Sequence, residues 1–299
     1  MADQDIHTGR AAFWMTGSIA SFSVMAIAGR EVSFALDTFE IMMYRSAIGL
    51  AIVAAVLSVT GHWRAVRTDH LKRHILRNAA HFTGQNLWFF AVTAAPLAQV
   101  FALEFTTPIW VVLLAPLLLG EPLTRRRTLA VVLGFVGILI VARPGAETVN
   151  AGTITAALAA VFFALTYIAT KRLTRLETIG GIMFWLTALQ LAFGLVAAGF
   201  DGDIALPDAA ALPFVVVIAL AGLLAHFCIT NALSLASASI VAPLDFVRLP
   251  AIAVIGMALY DEPLDLFVFL GAAVIFAANY VNILGENRKD RVAETPGAR

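Results

Sequence analysis

Disulfides, thiolate metal cages and nucleotide cradles all lack their raw material in this sequence. It holds one cysteine, Cys228, inside an apolar run, so no internal disulfide and no cysteine-built zinc site can form. There is no glycine-rich phosphate loop of the P-loop type, no zinc-ligand spacing and no nucleophile elbow. His81 and His226 have no nucleophile near them in sequence. Nothing calls for a cofactor or a bound metal, and the chain reads as a non-enzyme. Charge is scarce as well: 13% of the 299 residues are charged and the formal net charge is +0, which gives no case for nucleic-acid binding.

What is abundant is apolar sequence, at 60% of the chain. A soluble domain is about half apolar and about a quarter charged, so this composition belongs to an integral membrane protein. A bilayer core needs about 20 apolar residues in helical form. Ten stretches approach that length: 11–29, 38–58, 75–95, 97–119, 126–142, 153–170, 179–199, 213–235, 240–260 and 266–284. The first is read as a retained helix rather than a signal peptide, because Asp3 and Asp5 precede it and further spans follow at once. The fold class expected is therefore all-α integral membrane, with ten transmembrane helices.

Lys and Arg set the orientation. With the N-terminus in the cytoplasm, 16 of the 20 fall inside, Arg30 and Arg143 fall outside, and Arg45 and Arg248 lie within spans. Both termini are expected in the cytoplasm of a multi-pass inner-membrane protein.

The chain also repeats itself. Glu121-Pro122-Leu123 recurs as Glu262-Pro263-Leu264 and Glu104-Phe105 as Asp245-Phe246, both offset by 141. Pro108 and Pro250, and Arg30 and Arg172, are offset by 142. Five spans followed by five related spans must run in opposite directions, the inverted-repeat plan of many secondary transporters. The expected division is a tail at 1–10, a first repeat at 11–143, a second at 152–284 and a tail at 285–299. In such folds the ligand site lies where the repeats meet, and proline-broken helices mark it; here Pro108 and Pro250 are the markers, with Pro243 adding to the echo.

Charges inside spans need a reason, since each costs about 2.5–3.5 kcal/mol at the helix centre. Arg45 and Glu104 each lie seven residues into helices entering from outside, roughly 10 Å deep, so a salt bridge between them is expected. Asp245 and Arg248 are three apart and pair on one helix, nearer the cytoplasm. Two readings stay open for these four: structural ion pairs, or contacts to a charged or zwitterionic ligand. The third span adds His81 and Gln85 on one face, with Trp88 aside from them. Trp110 and Tyr167 complete the aromatic candidates, which suit an amphipathic organic solute better than a bare ion. Glu40 is expected at the interface.

The stretches PLAQVFALEFTTPIWVVLLAPLLLGEPL and LGFVGILIVARPG resemble the drug/metabolite transporter superfamily, and more narrowly its EamA branch. The resemblance covers residues 11–284; the second copy departs from it with YDEPL and no RPG ending. It implies a secondary carrier with a central cavity opening alternately to each side. An exporter of an amino-acid-like metabolite is the first expectation. The stretch QNLWFFAVTAAPLAQVFALEFTTPI is also similar to a branch that includes uptake carriers for riboflavin and S-adenosylmethionine, which is the alternative. The expected partners are a small-molecule substrate, the lipid bilayer, and a coupling proton or exchanged substrate, with a monomer or homodimer as the assembly.

Overall fold

The computed structural model describes residues 7–120, 124–142, 150–200 and 202–262, and within 266–277 residues 266, 267, 269–271, 273, 274 and 277. Residues 1–6 of the N-terminal tail, the C-terminal tail, Glu121-Pro122-Leu123, Arg143, Pro263-Leu264, most of the tenth expected span and the side chains of Pro243 and Phe246 lie outside the described residues. Among the described residues all regular structure is helical. Hydrocarbon offers the backbone no hydrogen-bond partner, and a helix satisfies its own groups.

The helices are α1 (Thr8–Val32), α2 (Thr38–Thr60), α3 (Leu71–Ala94), α4 (Leu97–Glu104), α5 (Thr107–Leu119), α6 (Arg125–Ala142), α7 (Ala151–Leu173), α8 (Ile179–Ala198), α9 (Leu212–Leu235), α10 (Ala238–Leu244) and α11 (Arg248–Tyr260). Their ends recur at one offset. Adding 141 to the start of α2, α3, α4 and α5 gives the start of α8, α9, α10 and α11; the ends of α1, α3 and α5 map likewise onto those of α7, α9 and α11. Even the caps repeat: α5 stops at Gly120 with φ 68° and α11 at Asp261 with φ 53°, both left-handed. Asp261 pays a steric cost there that glycine does not. In this register Arg30 corresponds to Lys171, not to Arg172 as the sequence spacing suggested.

Two of the expected spans are broken. The run 97–119 splits into α4 and α5 at Phe105 and Thr106, and 240–260 splits into α10 and α11 around a 3-10 turn at Asp245–Val247. Pro108 lies in the first turn of α5 and has no N–H, so the Glu104 carbonyl a turn earlier lacks its helical donor. The Thr107 hydroxyl takes over, donating to Glu104 O at 2.6 Å.

Among the described residues six stretches are long and apolar enough to cross a membrane: Thr8–Val32, Thr38–Thr60, Gln99–Leu119, Ala151–Leu173, Ile179–Ala198 and Leu212–Leu235. Helix α3 is as long but too polar to count among them, carrying His74, Arg77, Asn78, His81, Gln85 and Asn86. It buries those groups against protein instead.

The most extensive packing between the repeats is α1 on α9, α3 on α7 and α2 on α8. Under the 141-residue offset the first two are the same contact made twice. Glycines allow the close approach. A Cβ on Gly194 of α8 would lie 2.9 Å from Met43 Cα of α2, and one on Gly84 of α3 would lie 3.0 Å from Phe162 Cβ of α7. The broken helices cross as well, α4 against α11 and α5 against α10, which brings both breaks to the middle of the molecule.

Candidate functional site

The two breaks meet around Arg248. Its Nη2 donates to Glu104 Oε1 at 2.5 Å and to Asp245 Oδ2 at 2.7 Å. The Trp88 indole N–H donates to the other Glu104 oxygen at 2.6 Å. The guanidinium also lies 4.8 Å from the ring centroid of Phe101, with Phe22 and Phe105 slightly farther. Two carboxylates, one from each repeat, thus share one arginine, and an indole and three aromatic faces hold that arginine in place.

The expected Arg45–Glu104 salt bridge is not formed. Arg248 takes Glu104, because α11 crosses α4 while α2 packs on α8 and α9. Arg45 is buried elsewhere, with Nη1 3.8 Å from the sulfurs of Met25 and Met42. It lines a separate, smaller cavity with Thr187, Gln190 and Gly222. Glu40 is buried in the first turn of α2, where it closes a capping box with Asp37 and accepts from Ala205 N at 2.5 Å.

Beside the Arg248 cluster lies a cavity of about 50 Å³. One stripe of α3 forms a wall: Arg77, His81, Gln85 and Trp88 recur at helical spacing and all face it. Trp88 is therefore on the same face as His81, not aside from it, since seven residues bring a helix almost full circle twice. Opposite are Phe163 and Tyr167 of α7 and His226 of α9. The His81 and His226 rings are 4.5 Å apart, edge to face, and none of their four nitrogens has a protein partner. Of the residues singled out in sequence, His81, Gln85, Trp88, Glu104, Pro108, Tyr167, Asp245 and Arg248 line this cavity. Arg45, Trp110 and Pro250 do not. Trp110 is 38% exposed on the outer side of α5.

Two buried cations, Arg77 and Lys171, were counted in the sequence only as cytoplasmic charges. Arg77 belongs to α3 and is 1% exposed, with Nε on Thr170 Oγ1 at 3.1 Å and Nη1 on Asn78 Oδ1 at 3.0 Å. The signal was present: Arg77 stands four residues before His81. Lys171 is buried at the end of α7, where its Nζ donates to Leu233 O and Ala236 O at 2.7 and 2.8 Å and caps α9.

A cavity at the meeting of two repeats, lined by groups from both, is the arrangement of a membrane carrier. The EamA-like transporter family profile matches residues 9–143 and again residues 150–284. The chain belongs to the EamA-like transporter family. It is 31% identical over 257 residues to a riboflavin transporter of Brucella anthropi, covering 85% of this chain and 90% of that one. A riboflavin transporter of Rhizobium johnstonii is 30% identical over 230 residues, 76% of this chain and 75% of the other. An S-adenosylmethionine uptake transporter of Rickettsia bellii is 24% identical over 275 residues, 92% and 94%. A protein of known crystal structure, 17% identical, superposes with a TM-score of 0.74 over 93% of this chain and 98% of that one, a likeness of fold. This EamA-like protein is thus a multi-pass membrane transporter, and its family and relatives are transporters rather than enzymes.

Proposed function

We propose that this EamA-like protein is a secondary uptake carrier for riboflavin or a closely similar flat heterocycle. It works in the inner membrane as ten helices in two inverted five-helix halves, with both termini cytoplasmic. The relatives favour uptake over the export of an amino-acid-like metabolite. The observation that carries the substrate class is the cavity wall. Aromatic rings of Phe22, Phe163 and Tyr167 surround the unpartnered ring nitrogens of His81 and His226 and the amide of Gln85. A neutral heterocycle with alternating donors and acceptors along its edge satisfies such groups, and its flat faces pack against these rings once the two halves part and widen the cavity.

S-adenosylmethionine is the second reading: Glu104 and Asp245 share the one guanidinium of Arg248, and Asp245 Oδ1 bonds to no described residue, which suits a sulfonium.

Alternating access follows from the repeat: the breaks at 105–106 and 245–247 are the places where each half bends. The sequence holds no glycine-rich phosphate loop of the P-loop type, and in this reading a gradient or an exchanged solute drives the cycle.

Radiolabelled uptake into a riboflavin auxotroph, followed by counterflow in proteoliposomes, tests the reading. Saturable riboflavin uptake, competed by unlabelled riboflavin but not by S-adenosylmethionine, is expected. Absence of riboflavin counterflow in correctly inserted protein overturns it.

A further inference from the structure

The charges around the central cavity are unevenly placed. At the break, two carboxylates share the one cation of Arg248. At the other end of the α3 stripe, Arg77 has none: among the described residues its partners are the neutral oxygens of Thr170 and Asn78, and its Nη2 donates to no protein atom. Arg77 is 1% exposed and lines the cavity. Next to it the unpartnered rings of His81 and His226 offer further N–H donors. The imbalance extends behind the wall. Asn78 Oδ1, which accepts from Arg77, also accepts from Gln190 Nε2 at 3.2 Å, and Gln190 lines the smaller cavity of Arg45. Arg45 too has no acidic partner among the described residues.

A guanidinium out of water without a counter-charge is costly, and its planar fork is suited to carboxylate and phosphate oxygens. Two of the three Arg77 nitrogens are held in place by neutral acceptors, which fixes the fork and leaves Nη2 without a partner among the described residues. This is how a protein pre-organises an anion clamp rather than a structural ion pair.

We infer that the Arg77 end of the central cavity is an anion subsite, with Arg77 as its clamp and the His81–His226 pair as its flank. The anion is an oxygen group carried by the cargo or a free anion bound together with neutral cargo. The inference rests on reading the cavity as the cargo site, and deepens it.

Equilibrium binding to purified carrier in detergent separates the two sources. Riboflavin and riboflavin 5′-phosphate are titrated in sodium gluconate and in sodium chloride at equal ionic strength. Thermal unfolding is followed in gluconate, chloride and inorganic phosphate without flavin. A cargo-borne anion makes riboflavin 5′-phosphate bind about tenfold tighter than riboflavin in gluconate; a free anion makes riboflavin bind about tenfold tighter in chloride. In both cases chloride or phosphate raises Tm. R77Q abolishes these responses, and R77K keeps a reduced part of them because the charge remains while the fork is lost.

The subsite is overturned if wild-type binding and Tm are the same in all three anions and the two flavins bind equally. It is also overturned if R77Q, or R77K where R77Q does not fold, retains the full response. Should neither flavin bind while phosphate or chloride still stabilises the wild type and not R77Q, the riboflavin reading falls and the subsite stands.

Discussion

Arg248 and Glu104, 144 residues apart, are joined by a 2.5 Å hydrogen bond across the two helix breaks. The contact ties the first repeat to the second at the point where both helices are interrupted. It also leaves each partner buried, so the pair acts as a unit: removing one member strands the other.

That asymmetry separates the buried arginines. Arg248→Met leaves Glu104 and Asp245 facing each other without a cation and is expected to cost about 3–5 kcal/mol. Arg45→Met removes a charge that has no acid partner among the described residues and is expected to change stability by about 1 kcal/mol or less in either direction. Denaturation of the two purified variants in one detergent checks this. Equal losses would restore an acid partner to Arg45.

The two histidines should matter to cargo and not to folding. No ring nitrogen of His81 or His226 bonds to protein, so His81→Phe or His226→Phe keeps the packing and removes donors and acceptors from the cavity. Each substitution is expected to weaken riboflavin binding by about 2- to 10-fold, the worth of one hydrogen bond, with Tm unchanged. A large drop in Tm with unaltered affinity would make the pair structural.

Tryptophans divide in the same way. Trp88→Phe loses the bond to Glu104, which holds the carboxylate toward Arg248, and should reduce transport and stability together by about 1–3 kcal/mol. Trp110→Phe, on the outer side of α5, should leave uptake as it was. Uptake in cells at matched expression distinguishes them. Loss of uptake in Trp110→Phe alone would place the translocation path on the other side of α5.

Close helix contact predicts a steric series. Gly194→Ala puts a carbon 2.9 Å from the Met43 backbone and should cost about 1–3 kcal/mol, and Gly194→Val more. Gly134→Ala meets nothing within 4 Å and should be tolerated. Detergent melting of the series gives the answer; a fully stable Gly194→Val would mean that α2 and α8 do not pack as they do in this structure.

Much of this was legible in the chain. Length of apolar runs, scarcity of charge, the recurrent Glu-Phe and Asp-Phe pairs and the prolines beside them are local facts, and hydrocarbon turns them into helices because a lipid-exposed backbone must bond to itself. The 141-residue echo located both breaks before any coordinate did. Asp245 with Arg248 was readable too, since a three-residue spacing is set by helix geometry alone.

What the chain could not state was which buried charge meets which. Arg45 and Glu104 sit at similar depth, and depth alone made them partners; the crossing of α4 with α11 gave Glu104 to Arg248 instead. The same holds for Arg77, near the cytoplasmic start of the third expected span, and for Lys171, in an expected polar turn: both were counted as cytoplasmic charges, and packing buries both. Local periodicity determines that a helix forms and which residues share its face. Partner choice depends on the angle and rotation at which separate helices meet, and those are fixed by side-chain packing summed over the whole bundle.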